Sequence, residues 1–184
     1  MNYSLDIDGV GQSSGYTKFE NGKFTREGVP AATAPEEKPM TKEEELCREE
    51  LALCYRQMFK EGLYEGCDTH LSIMLDEQDA FLTLPYGILW NTVEASDLAL
   101  VNYSGQVLRS CGRINQLTGE PHGPDITAVA LHGPMHKKLG SARCKSIFHT
   151  HQRFGTTMAC SENAYELQMI HQNHARFYKS IIYD

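Results

Sequence analysis

Between Thr41 and Gly62 the chain specifies an amphipathic helix with both of its ends written in, and such a helix needs a second layer to cover. Thr41-Lys-Glu-Glu44 fits a capping box, in which the threonine oxygen accepts an orphan backbone N–H while Glu44 reaches back. Glu43, Glu44 and Glu45 suit the positive end of the helix dipole. Cys47, Leu51, Cys54, Tyr55, Met58 and Phe59 then recur at helical spacing and form one apolar stripe. Gly62 supplies the stop. A helix is expected from about Thr41 to Glu61.

Upstream the character changes. Residues 1–40 are rich in Gly, Ser, Thr, Pro and Glu without an apolar period, and the stretch from Gly28 to Pro39 reads as an extended linker. The expectation is a disordered tail over 1–40 and one domain over 41–184, since 184 residues suit a single domain. Hydrophobic residues make up 41% and charged residues 22% of the chain, an ordinary balance for a globular protein. A net charge of −7 argues against a nucleic-acid partner, which calls for clustered Lys and Arg. No apolar run approaches the ~20 residues that cross a bilayer. The first residues, Met1 to Asp8, have neither a basic nor an apolar signal region, so a cytoplasmic location is expected. Six cysteines are scattered without a C-x-x-C pair and are expected to be reduced thiols.

Downstream, Leu71, Ile73 and Leu75 alternate with Ser72 and Met74, a turn follows at Asp76–Asp79, and Ala80–Leu84 forms a second strand. Leu98–Tyr103 and Gln106–Leu108 read as a hairpin joined at Ser104-Gly105. Asp125 is a candidate cap for a helix that carries Ile126, Val129 and Leu139 on one side and ends at Gly140. Pro134 inside it predicts a kink or an early break. A strand over Ser146–His151 comes next, then a strand over Leu167–Ile170, a short helix over His171–Lys179 and a strand over Ser180–Tyr183. Helices interspersed with hairpins imply an α/β layered domain on a mixed sheet.

The chemistry-bearing residues are histidines. On a strand, His149 and His151 share one face, and two imidazoles side by side make half of a tetrahedral site for zinc or a similar divalent ion. The alternative is two ordinary, partly buried histidines. His132 and His136 have the spacing of two ligands on one helix face, but Gly133 and Pro134 between them undercut that geometry. His171 and His174 read as surface or capping residues, His122 as a loop residue, and His70 as a pocket or turn residue. Glu120 and Asp125 are candidate carboxylates, equally readable as a loop residue and a helix cap. No Gly-rich phosphate loop, G-x-S-x-G elbow or H-E-x-x-H motif is present.

From about Cys47 onward the chain resembles the class II aldolase/adducin N-terminal domain family, nearest its adducin-like branch. The resemblance rests on the order of Arg48, Leu51–Arg56, Thr69-His-Leu-Ser72, Phe81–Gly87, Glu94–Leu98, Asn102–Gly105, Leu131-His132, His149-Thr-His151, Gln172–Tyr178 and Ile181–Asp184. It implies a three-layer α/β/α fold with a central, largely antiparallel mixed sheet, incomplete at the C-terminus. It also implies a divalent metal, usually zinc, held by a pair matched here by His149 and His151 and by a later histidine. In aldolase members that metal polarises a carbonyl or enediolate oxygen. Two departures stand out: Ala128 occupies the position of the family's acid/base glutamate, and Asp184 comes before the third metal histidine.

The expected function is therefore a class II aldolase/adducin-type domain with a partial metal site and without efficient aldolase activity; were it active, the reaction would be metal-assisted retro-aldol cleavage with His149 and His151 as ligands and His132 as a third contact. Two alternatives are an adducin-like, actin-associated cytoskeletal interaction protein, and a fragment of a metal-dependent sugar-phosphate aldolase. The first sits poorly with the acidic chain, since adducins use basic, lysine-rich tails. Self-association is the other partnership the resemblance implies.

Overall fold

The structure is a computed structural model, and it describes residues 39–66 and 68–161, the short pairs 19–20 and 23–24, and the single positions 172 and 179. The expectations for the 1–40 tail and for the elements after Ser161 lie outside the described residues. The exception is an antiparallel pairing of β1 (Phe19–Glu20) with β2 (Lys23–Phe24). The chain divides into two units, Met1–Thr150 and His151–Asp184. In the second, α4 covers Arg153–Ala159, a helix that the sequence reading did not anticipate.

The helix opening at Thr41 forms as its ends dictate. α1 spans Lys42–Lys60, the Thr41 hydroxyl accepts from Glu44 N at 3.1 Å, and Gly62 takes a left-handed φ of 71° just past the end. Such a φ costs glycine nothing, because it has no Cβ to clash. The buried stripe includes Cys47, Leu51, Ala52 and Tyr55, but also Glu44 and Arg48. The Glu44 carboxylate, expected to reach back to the cap in a capping box, instead lies in the core against Arg48 and Arg109.

Five strands follow: β3 (His70–Leu75), β4 (Ala80–Thr83), β5 (Ala99–Asn102), β6 (Val107–Arg109) and β7 (Ser146–His149). They form one sheet in the order β6-β5-β4-β3-β7, and every adjacent pair is antiparallel. The strand period of two sorts their side chains. Leu71, Ile73, Leu75, Leu82 and Leu100 pack in one cluster with Cys47, Leu51 and Tyr55 of α1. On the opposite face Phe81, Ala99 and Val101 pack with Val129 of α2, which spans Ile126–Leu139. A helix on each face makes three layers, as the resemblance implied, and explains why every position of β3 and β4 is buried.

The Tyr55 hydroxyl locks α1 to the sheet. It donates to Leu71 O at 2.7 Å and accepts from Leu71 N at 2.9 Å and Leu84 N at 3.2 Å. Burial drives its pKa well above the ordinary tyrosine value against these hydrogen bonds, so the hydroxyl stays neutral.

Three expectations change. α2 runs unbroken through Pro134, because packing of the residues on either side holds the helix where its own N–H is missing. Its buried positions are Ala128, His132, Gly133 and His136, while Ile126, Leu131 and Met135 are exposed. The strand predicted over 146–151 ends at His149, so a shared strand face does not extend to His151.

Gly133 lets α2 sit close to the β5–β6 turn, since a Cβ there would stand 2.5 Å from Tyr103 O. Gly133→Ala should therefore cost about 1–3 kcal/mol in thermal or urea unfolding, despite the helix preference of alanine. A neutral or stabilising result would show that the contact relaxes freely.

Candidate functional site

β3 directs His70 and Ser72 to the face covered by α2, while Leu71 and Ile73 enter the opposite core. On α2, one turn of helix separates His132 from His136, so both present their rings to that face. All four residues are at most 3% exposed.

Their polar atoms meet in series. His70 Nδ1 lies 2.9 Å from His132 Nε2, and His132 Nδ1 lies 2.6 Å from Ser72 Oγ. Ser72 Oγ is 2.8 Å from His136 Nε2, and His136 Nδ1 is 2.9 Å from the carbonyl of Cys144. That carbonyl belongs to α3 (Ser141–Cys144), just before β7. His149 is the cross-strand partner of His70, and their rings lie 4.7 Å apart between centroids, tilted by 34°. The His70 ring also packs edge-on against His132, with centroids 4.6 Å apart.

Burial disfavours the charged form of the two helix histidines. Burial, with the neighbouring His70, His136 and His149, pushes the His132 imidazole down to about 3 from an ordinary 6.5. Burial also lowers His136, assisted by the Lys145 charge and opposed by the hydrogen bond to Cys144.

A cleft opens beside the cluster, lined by His70, Thr69, Tyr55, Pro85, Trp90 and Asp125 among others. Asp125 caps α2 as expected: its Oδ1 accepts from Thr127 N at 2.8 Å and Ala128 N at 3.3 Å. Glu120, the other candidate carboxylate, sits exposed in a loop. His122 Nδ1 is 3.2 Å from Tyr86 O, away from the relay.

The sequence candidates are thus redistributed. His149 lies in β7 beside His70, while His151 opens the second unit. His132 and His136 do share a helix face, against the expectation drawn from Gly133-Pro134. Both ring nitrogens of each lie within hydrogen-bond distance of the cluster or of the Cys144 carbonyl. Among the described residues no three His, Cys, Asp or Glu side chains converge as a metal cage. His171 and His174 lie outside the described residues. The five described cysteines, 47, 54, 111, 144 and 160, are free thiols, as expected.

Sequence reasoning missed Ser72 and the inward face of α2. The signal was present in two periods: polar His70 and Ser72 two apart on an apolar strand, and Ala128, His132 and His136 four apart on a helix whose aliphatic residues fall elsewhere.

Comparison with known proteins connects this arrangement to others. The sequence model of the Class II Aldolase and Adducin N-terminal domain matches residues 49–184. A Pseudomonas aeruginosa protein whose name assigns it provisionally to aldolase class 2 is 26% identical over 115 residues, 62% of this chain and 40% of that one. An adducin-related protein of Schizosaccharomyces pombe is 28% identical over 137 residues, 73% of this chain and 40% of that one. Among solved structures, L-fuculose 1-phosphate aldolase from Glaciozyma antarctica superposes with a TM-score of 0.60 at 25% identity, covering 77% of this chain and 55% of that one. The chain spans about 40% of the length of these two curated relatives. No helix among the described residues is long and apolar enough to cross a membrane.

Proposed function

The chain belongs to the class II aldolase and adducin N-terminal domain family, and on that premise we propose that it is a family domain with a partial divalent-metal site and without efficient aldolase activity. The observation that carries this reading is the inward face of α2. Ala128, fully buried, stands where the resemblance expects the acid/base glutamate, and a methyl group moves no proton. One and two turns on, the nitrogens of His132 and His136 lie within hydrogen-bond distance of partners in the protein.

The donors that would hold an ion, zinc by the family's habit, are His149 and His151. Their assignment rests on spacing in the sequence. Two imidazoles are half of a tetrahedral set, and a catalytic site keeps about three protein ligands. The described residues therefore do not make up a catalytic metal centre. On this reading the chain is a cytoplasmic binding domain, with a cleft lined by His70, Thr69 and Asp125 among others.

Purified protein supplied with zinc and a panel of ketose 1-phosphates tests the reading. Turnover is expected to stay at the no-protein background. Elemental analysis should find metal in the wild type and less in His149→Ala and His151→Ala. Metal-dependent turnover that His149→Ala abolishes would return the chain to the enzymes, and equal metal in all three proteins would remove the ligand assignment.

The likeness to the adducin-related yeast protein supports a second reading, an adducin-type interaction domain associated with the actin cytoskeleton or with further copies of itself. Co-sedimentation with filamentous actin, and sedimentation velocity alone, discriminate it from the first.

A further inference from the structure

α2 turns its aliphatic side away from the sheet. Ile126, Leu131 and Met135 are 58%, 48% and 44% exposed, and Ala130 and Pro134 between them are exposed as well. At about 100° per residue these five fall on one half of the helix, and the buried Ala128, His132 and His136 fall on the other. Single apolar residues scattered over a surface are ordinary, but a continuous stripe along a helix is a surface for contact. Lys137 and Lys138, both exposed, flank the last turn of that stripe.

On the far layer, α1 carries a narrower stripe of the opposite charge. Leu46 and Leu53, two turns apart, are 56% and 63% exposed. Glu49 and Glu50 stand between them, one on each side of the line that joins them, and Glu45 lies a turn earlier. Lys42 is the one exposed cation along that half of the helix, against these three exposed carboxylates. Among the described residues, no ion pair uses Glu49, Glu50, Lys137 or Lys138.

We infer that α1 of one copy lays its acidic stripe antiparallel on the apolar outer face of α2 of another copy, with Glu49 and Glu50 beside Lys137 and Lys138. The spacing agrees: at ~1.5 Å per residue Leu46 and Leu53 are ~10 Å apart, within the ~14 Å from Met135 back to Ile126. The antiparallel sense also sets the positive end of the α1 dipole beside the negative end of α2. The two stripes lie on opposite layers of the Met1–Thr150 unit, so the contact joins α1 to α2 and is heterologous. Two copies leave one α1 and one α2 uncovered, and growth continues beyond the dimer. The inference gives the association with further copies in the second reading a surface, and rests on that reading only in taking this chain as its own partner.

Sedimentation velocity of the full chain over a wide concentration range is the first test. The mean mass should climb past the dimer as concentration rises and fall as salt screens the flanking charges. A wild type that stays monomeric overturns the inference and gives the α2 face to a different protein; a mass that stops at the dimer overturns it too. Glu49→Lys/Glu50→Lys and Lys137→Glu/Lys138→Glu, each alone, should weaken association at least about tenfold, because like charges then meet. Mixed in equal amounts they should recover it, since each reversed helix then faces its complement on the other variant. Association unchanged in either variant, or not recovered on mixing, overturns the inference.

If a variant fails to fold, the wild type decides. Carbodiimide treatment of mixed ¹⁴N- and ¹⁵N-labelled chains should join Lys137 or Lys138 of one copy to Glu49 or Glu50 of another, read by mass spectrometry. Absence of those links from the copy-to-copy products overturns the inference. Association that persists in both variants leaves the second reading standing without this surface, whereas a monomeric wild type removes further copies from it, so the two failures are distinguishable.

Discussion

Glu44→Ala should bring the protein to the edge of unfolding at 25 °C, with a loss of about 3–5 kcal/mol in urea or thermal denaturation. Glu44 is fully buried; its Oε1 accepts from Arg48 Nε and from Arg109 Nε, each at 2.9 Å, and lies 2.8 Å from Arg48 Nη2 as an ion pair. Gln78 donates to the second oxygen at 3.2 Å. Burial alone would raise the carboxyl, but hydrogen bonds from Arg48 and Gln78 and the charges of Arg48 and Arg109 outweigh it and hold it below its ordinary value. Arg48 also donates from Nη1 to Leu98 O at 2.6 Å, so this ion cluster docks α1 onto the chain entering β5.

Removing the carboxylate leaves Arg48 charged, buried and without its counter-ion. That penalty, more than the lost attraction, sets the size of the effect. Domains of this kind are stable by about 5–15 kcal/mol in all, so the loss is a large share. Glu44→Gln, which keeps an acceptor of the same shape, should lose less. A cost below about 1 kcal/mol for the alanine variant would mean that Arg48 swings out to water, against the docking role.

The second large effect is acid lability that begins well above the range of the carboxylates. His132 is held at about 3 in the folded protein against an ordinary 6.5. Between those values the unfolded chain takes up a proton that the folded one refuses, so stability must fall as the pH falls. Above about pH 6.5 the group contributes no pH dependence. Below it the slope is about 1.4 kcal/mol per pH unit, or about 2 kcal/mol lost between pH 6.5 and 5. The lowered His136 acts with the same sign. Glu44 joins at lower pH: its depressed carboxyl gives stability that is present above its ordinary value of 4.5 and is lost as pH drops through the folded value.

Urea midpoints taken at half-unit steps from pH 7.5 to 4.5 would trace the curve, and His132→Gln should flatten its upper part whatever it does to the overall stability. A curve already flat from pH 7 to 5 in the wild type would show that protons enter the buried cluster freely.

The two helices show what kind of information the sequence carries. α1 was legible to within a residue at each end. Its start and stop are written in Thr41, Glu44 and Gly62, and its stripe recurs every three or four positions. The β5–β6 hairpin and the Asp125 cap were legible for the same reason, because each depends on partners a few residues away. α2 was legible as an element and illegible as a surface. Its aliphatic residues predicted one buried side, and the protein buries another, built of Ala128, His132 and His136.

No local preference encodes that choice. It is decided by Ser72 and His70, which stand 60 to 64 positions from the helix residues they meet, and which reach them only when β3 forms the sheet's second strand from its β7 edge. The register that sets His70 opposite His149 is likewise a property of the assembled sheet. The sequence by itself determined the family, the capped helices and the alternation that makes the strands. Only the tertiary structure decided which histidines share protons, because a buried imidazole is tolerated where a distant partner satisfies it, and topology supplies the partner.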